Sequence, residues 1–253
     1  MDLAYESLRA AYPEGEVHLY DTIPSTNTEA RRLASEGVSR ALLIADAQSA
    51  GRGRMGRSFH SPGGAGLYMT LLMPVVSDFD PATLTLTAAV AVREAVTRAG
   101  VDARIKWVND IFVGGRKLAG ILAEGVVSET TGQITHAILG IGVNCTPAAF
   151  PKELENVVTC LQNEGNTPLS RTDLAIAILS GLCARMELPL SDILSEYRRY
   201  MLYRGARVIL SDFQSEYPVT LLDLDADGGI LVRHEDGSVT SHRTAEVRIR
   251  EAR

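Results

Sequence analysis

At 253 residues, with a formal net charge of −6 and a sequence pI of about 5.4, the chain is too acidic for a general nucleic-acid binder, which needs a broad basic surface. Hydrophobic residues make up 45% and charged residues 22%, enough for a sizeable core and against disorder. Three cysteines without a C-x-x-C pair, no apolar leader and no run of membrane-spanning length point to a reducing compartment, the cytoplasm, and away from a disulfide or zinc framework.

A short helix is predicted over Leu3 to Tyr12, closed by Pro13 and Gly15, and a strand over Val17 to Tyr20. Thr26 and Glu29 have capping-box spacing and Gly37 is a natural stop, so a helix is expected from Asn27 to Glu36. Ala41 to Ala45 and Leu67 to Met73 read as strands on either side of a long Gly- and Arg-rich loop. Asp80-Pro81 opens a helix with Leu84, Ala88, Ala91, Ala95 and Val96 as its core stripe, ending at Gly100. Ala103 to Val108 reads as a strand. Ile111 to Val113 and Lys117 to Ala123 form a predicted hairpin about Gly114-Gly115. Ala137 to Val143 is a further strand, and helices over Thr172 to Met186 and Asp192 to Met201 close a main domain, residues 1–203. From 204 to 253 the texture is of short strands, Arg207–Leu210, Val219–Asp223, Ile230–His234 and Ala245–Ile249, parted by glycine turns, which suggests a small β-barrel.

Three stretches carry chemistry. In Gln48-Ser49-Ala50-Gly51-Arg52-Gly53-Arg54-Met55-Gly56-Arg57, arginines alternate with glycines, and no Asp or Glu occurs from Ala47 to Ser77. Glycines let backbone N–H groups approach a ligand, and arginines offer fixed forks of donors to phosphate or carboxylate. The loop is built for an anion, yet it contains neither a P-loop nor a Rossmann fingerprint. The second stretch, Lys106-Trp107-Val108-Asn109-Asp110, runs into Arg116-Lys117-Leu118-Ala119-Gly120, where the small residues Ala119 and Gly120 leave room for a ligand beside Lys117. The third is Gly140-Ile141-Gly142-Val143-Asn144, which read alone is tight strand packing with a bulge.

Taken in order and spacing, Pro24-Ser25-Thr26-Asn27, Gln48, the GRGRMGR loop, KWVND, RKLAGIL and GIGVN resemble the biotin protein ligases, from about Tyr20 to Cys145. The resemblance implies an α+β catalytic domain, a mixed sheet flanked by helices, followed by an SH3-like barrel. It implies that Ser25, Thr26, Asn27 and Gln48 face the biotin head, with Gly51, Gly120, Leu122, Gly140 and Gly142 lining the same pocket. Arg52, Gly53 and Arg54 would wrap the biotin carboxylate and the phosphate, and Lys117 would contact both. Arg57, Phe59, Asn109 and Asn144 would serve the nucleotide, and Asp110 would help hold magnesium. Val108 stands where many members have proline and Phe59 where many have tryptophan, departures that bear on nucleotide affinity rather than reaction type.

The implied reaction uses ATP and Mg²⁺ to form biotinyl-5′-AMP, then passes biotin to a lysine of a biotin carboxyl carrier protein domain. The loop from Ala47 to Gly64 is expected to order over the adenylate and exclude water. A lipoate or octanoate ligase of the same fold is the nearest alternative, which the polar Ser-Thr-Asn and Gln48 set disfavours. A binding module without catalysis is another. Only 24 residues precede Ser25, too few for a helix-turn-helix domain, so no specific DNA binding is expected; a homodimer stays open.

Overall fold

The computed structural model describes residues 3–75, 79–128, 130–211, 215–243 and 248–251. In chain order, helix α1 (Tyr5–Ala11) leads into β1 (Glu16–Ile23), α2 (Thr26–Ser35) and β2 (Ala41–Gln48). After a single 3₁₀ turn at Arg54–Gly56 come β3 (Gly66–Pro74), α3 (Pro81–Thr97), β4 (Arg104–Lys106), β5 (Asp110–Val113), β6 (Arg116–Val127) and β7 (Ile134–Asn144). Helices α4 (Leu161–Glu164), α5 (Arg171–Cys183) and α6 (Leu190–Tyr200) follow. Strands β8 (Arg207–Ser211), β9 (Glu216–Leu224), β10 (Ile230–Arg233), β11 (Val239–His242) and β12 (Arg248–Glu251) end the described chain.

The first seven strands form a mixed sheet in the order β1-β2-β3-β7-β6-β5-β4. Only β1 and β2 run parallel, joined by α2 as the crossover that parallel neighbours require. Strand alternation divides the buried residues cleanly. Leu42, Ile44, Leu71, Leu139 and Ile141 enter the main core under α1, α3, α5 and α6. Leu43, Leu72 and Ile138 point the other way and form a small cluster with Ala30 and Leu33 of α2. Beyond that cluster, the α2 side of β3, β6 and β7 carries Thr70, Gly120, Leu122, Gly140 and Gly142 instead of apolar bulk. The uncovered part of this face is where a ligand can lie.

Several local expectations need correction. Thr26 is not the cap of α2: Ser25 holds that position, without a side-chain capping bond, and Glu29 turns to Arg32 and Tyr20. The Asp80 cap of α3 is as expected, its carboxylate accepting from Ala82 and Thr83 N–H at 3.0 Å each. The expected stripe of α3 is buried, but so is every residue from Leu84 to Val92, because the sheet lies on one side of the helix and α5 and α6 on the other. Gly114 and Gly115 both have positive φ, 56° and 78°, as a tight hairpin turn requires. Strand β4 stops at Lys106, and Trp107 to Asn109 make a turn whose Trp107–Val108 peptide is cis. All three cysteines are free.

The C-terminal strands form one antiparallel sheet in the order β11-β10-β9-β8-β12. Of the expected strand at Ala245–Ile249, Arg248 and Ile249 lie in β12, and Ala245 to Val247 fall outside the described residues. Val208, Leu210, Leu221, Ile230 and Val232 belong to the same apolar cluster as the main sheet. The Trp107 indole N–H donates to the Gly228 carbonyl at 3.1 Å, tying the turn after β4 to this second sheet.

Candidate active site

Strand β1 ends at Ile23 and α2 starts at Thr26, which places Ser25, Thr26 and Asn27 at a helix N-terminus against the uncovered face; all three are at most 4% exposed. The Thr26 N–H and hydroxyl both reach Gln48 Oε1, at 2.8 and 3.1 Å. Gln48 therefore satisfies one of the donors that the first turn of the helix leaves without an intrahelical partner. Its Nε2 donates to Ser61 Oγ at 2.9 Å, so one amide N–H stays available to a ligand. The Thr70 hydroxyl lies 2.7 Å from that of Thr26 and 2.8 Å from Asn27 Oδ1. Asn27 fits only because residue 140 is glycine: a Cβ there would stand 2.2 Å from Asn27 Oδ1. The result is a buried cradle of hydroxyl and amide groups, each already oriented by a neighbour.

The Gly/Arg loop folds back across this cradle. Gly53 N–H donates to Arg57 O at 2.7 Å and Phe59 N–H to Gly51 O at 2.9 Å. Phe59 lies on Gly142, where a Cβ would meet its ring at 2.6 Å, and edges Tyr68 at 6.3 Å between centroids. The arginines are held individually. Arg52 pairs with Glu124 at 3.0 Å, and Arg54 Nη1 donates to Asn109 Oδ1 at 3.1 Å. Asn109 in turn donates to the Ile121 carbonyl at 2.8 Å.

Lys117 reaches the same space through a defect in β6. Phe112 pairs with Lys117 but Ile111 with Ala119, so one extra residue is inserted and the alternation shifts phase. Leu118 and Ala119 both enter the core, while Lys117 and Gly120 share the cavity side. The expectation that Ala119 makes room for a ligand is thus corrected: Gly120 alone does, and a Cβ on it would press on Lys117 Nζ at 3.1 Å. Lys117 Nζ lies 2.6 Å from Asp110 Oδ1.

These groups converge on one cavity of about 400 Å³. It is lined by Ser25, Thr26, Asn27, Gln48, Arg52, Gly53, Arg54, Arg57, Phe59, Asn109, Asp110, Lys117, Gly120, Leu122, Gly140 and Gly142. Gly51 lies behind it, where a Cβ would strike Phe59 O at 2.4 Å; its role is to let the loop close. Asn144 stands apart from the lining: it is 5% exposed and its Nδ2 donates to Thr159 O at 3.0 Å, so it braces the segment that follows β7.

Sequence reasoning missed Thr70, Ser61 and Glu124, and gave Lys106, though within the KWVND stretch, no role of its own. Glu124 was within reach, because Gly120, Leu122 and Glu124 share one face by alternation. Lys106 has no bonded acid among the described residues. Burial pushes its pKa below the ordinary lysine value, Lys117 and Arg57 add to the effect, and Asp110 opposes it. From the C-terminal sheet, Ser211, Glu216 and Ile249 close one side of the cavity.

The profile of the Biotin/lipoate A/B protein ligase family matches residues 19–144. The bifunctional ligase/repressor BirA of Bacillus subtilis is 32% identical over 229 residues, covering 86% of this chain and 69% of that protein. The biotin–[acetyl-CoA-carboxylase] ligase of Mycobacterium tuberculosis is 32% identical over 195 residues, covering 73% and 70%. Among solved structures, the biotin protein ligase from Aquifex aeolicus in complex with biotin and ATP superposes with a TM-score of 0.82, at 25% identity, over 94% of this chain and 99% of that one. A fold, a motif order and curated relatives all agree, and the chain belongs to the biotin protein ligase family.

Proposed function

We propose that the chain activates biotin with ATP and transfers it to a lysine of a biotin carboxyl carrier protein domain. The observation that carries this reading is the adjacency of a buried polar cradle and a ring of cations in one cavity. A carboxylate is a poor electrophile, and its attack on a phosphate brings two anions together. Arg52, Arg54 and Lys117, each held at the cavity by its own partner, supply the opposing charge. In the first step a biotin carboxylate oxygen bonds to the α-phosphorus, the bond to the β-phosphate breaks, and pyrophosphate leaves. In the second the carrier amine bonds to the acyl carbon, the bond to AMP breaks, and the amine loses a proton.

Ser25, Thr26, Asn27, Gln48 and Thr70 suit a polar ring system better than the plain hydrocarbon of an octanoyl chain. Phe59 offers an aromatic face beside the phosphate groups for adenine. Among the described residues no three His, Cys, Asp or Glu side chains form a metal cluster. Asp110, which lines the cavity, would be the carboxylate to hold a magnesium ion there. When bound, the ion neutralises phosphate charge; the chain's own task at that point is to hand Lys117 from Asp110 to the substrate.

The test is pyrophosphate release from Mg-ATP with biotin, lipoate and octanoate offered separately, followed by the mass of a carrier domain. Release with biotin and a carrier heavier by one biotinyl group support the reading. Release with lipoate or octanoate alone reassigns the substrate, and no release with any acid rejects ligase activity.

Lys106 adds a pH dependence. As a cation facing the phosphates it assists nucleotide binding, and its depressed pKa means that this charge is lost, as pH rises, earlier than for an ordinary lysine. The KM for Mg-ATP is expected to climb on the alkaline side, and in Lys106→Arg that limb should move to higher pH. An identical profile in the variant would remove Lys106 from nucleotide binding.

A further inference from the structure

Glu124 sits on β6 with its side chain 18% exposed, and two hydrogen-bond donors and a further cation from two separate segments converge on it. Asn27 Nδ2 donates to Oε2 at 3.0 Å. The Arg52 guanidinium donates to both oxygens, at 3.0 Å to Oε1 and 3.4 Å to Oε2. Arg31, one turn along α2 from Asn27, stands 3.6 Å from Oε1. Asn27 belongs to the cradle for the acid's head, and Arg52 to the loop that faces its carboxylate.

We infer that Glu124 is a positioning residue that joins the head cradle to the anion loop, setting Asn27 and Arg52 with one carboxylate. This rests on the ligase reading above. The chemistry requires a carboxylate at that point. Both oxygens are called on by N–H donors, and only an ionised acid presents acceptors on both arms. A glutamine there would turn an NH₂ group toward Asn27 Nδ2 or toward the guanidinium. Asn27 has no freedom to flip in response, because Thr70 and the bare face of Gly140 fix its other end. Arg52 spends two of its five N–H groups on Glu124 and keeps three for a substrate anion. Without the tether it is an unanchored arginine on a glycine loop, and its ordering must then be supplied by binding energy.

The experiment uses the full chain. Steady-state pyrophosphate release is measured for wild type, Glu124→Gln, Arg52→Gln and the double variant, with biotin and Mg-ATP varied in turn. Tryptic cleavage at the loop arginines with and without biotin is followed in parallel. Glu124→Gln is expected to raise the KM for biotin about 10- to 100-fold, the effect of losing a charge-assisted bond, and to shift the KM for Mg-ATP by no more than about twofold. It should also lose the biotin-induced protection of the loop. The double variant should cost little more than Arg52→Gln alone. An unchanged KM for biotin, equal rises in both constants, or additive effects would each overturn the assignment. Glu124→Asp, which keeps the charge and withdraws it by one methylene, gives the same split at smaller size if the glutamine variant folds poorly. A wild type that releases no pyrophosphate with biotin removes the ligase reading itself; an active wild type with an unsplit variant removes only the role of Glu124.

Discussion

Lys117→Ala is expected to lower pyrophosphate release about 1,000-fold, a loss of about 4 kcal/mol of transition-state stabilisation, while leaving the fold intact. The size follows from position. The ammonium stands beside the glycine that makes room for it, and among the described residues its ion-pair partner is Asp110. The approaching carboxylate and the phosphate it attacks both carry negative charge, so a cation between them is worth most when the new bond forms. The fold should survive because the strand rests on the Lys117 backbone, and its side chain gives up one partly exposed ion pair with Asp110. Its N–H donates to Val157 O at 2.8 Å and its carbonyl accepts from Thr159 N–H at 2.9 Å, and alanine keeps both. Circular dichroism paired with the release assay checks the two halves. Wild-type turnover in a folded variant would reject the role given to Lys117.

Gly140→Ala should act on binding instead. The added methyl would stand 2.2 Å from Asn27 Oδ1 and 2.9 Å from its Cγ and Nδ2. Asn27 is 4% exposed and has nowhere to retreat. Moving it breaks its bonds to Thr70 and Glu124 and leaves buried polar groups without partners, at about 2–3 kcal/mol. The KM for biotin is expected to rise about 30- to 100-fold, with a lower unfolding temperature. Titration of biotin against the purified variant measures the first and a thermal melt the second. A variant with the wild-type KM would show that Asn27 takes no part in holding the acid.

Much of this was legible in the sequence, and the pattern of what was not is instructive. Asp80-Pro81, Gly114-Gly115 and Gly37 act through local backbone rules, and the structure follows them. The cavity motifs were legible because each lies on a continuous run of chain. What escaped depends on pairings between distant segments. Thr70 reads as an ordinary strand threonine until β3 is set beside α2. Ala119 and Gly120 look equivalent until the inserted residue in β6 turns one into the core. Strand β11, Val-Thr-Ser-His, has little apolar alternation because it is an edge strand with mostly exposed side chains. Helix α4 spans four residues, too few to show a period. Thr26 looked like a cap because Gln48, which accepts from its N–H and hydroxyl, lies 22 positions away.

The bond between the Trp107 indole and the Gly228 carbonyl bears on how members of such a family can exchange parts. Trp107 opens the turn that carries Asn109 and Asp110, so the second sheet helps hold two cavity residues from outside the catalytic strands. Position 228 has a φ of +84°, and a Cβ there would come within 2.3 Å of Leu86. A graft of another protein's C-terminal segment onto this scaffold therefore needs glycine at that one junction, presenting its carbonyl to the indole. A donor segment lacking it would bury an unanswered N–H and crowd α3, however well its own strands folded.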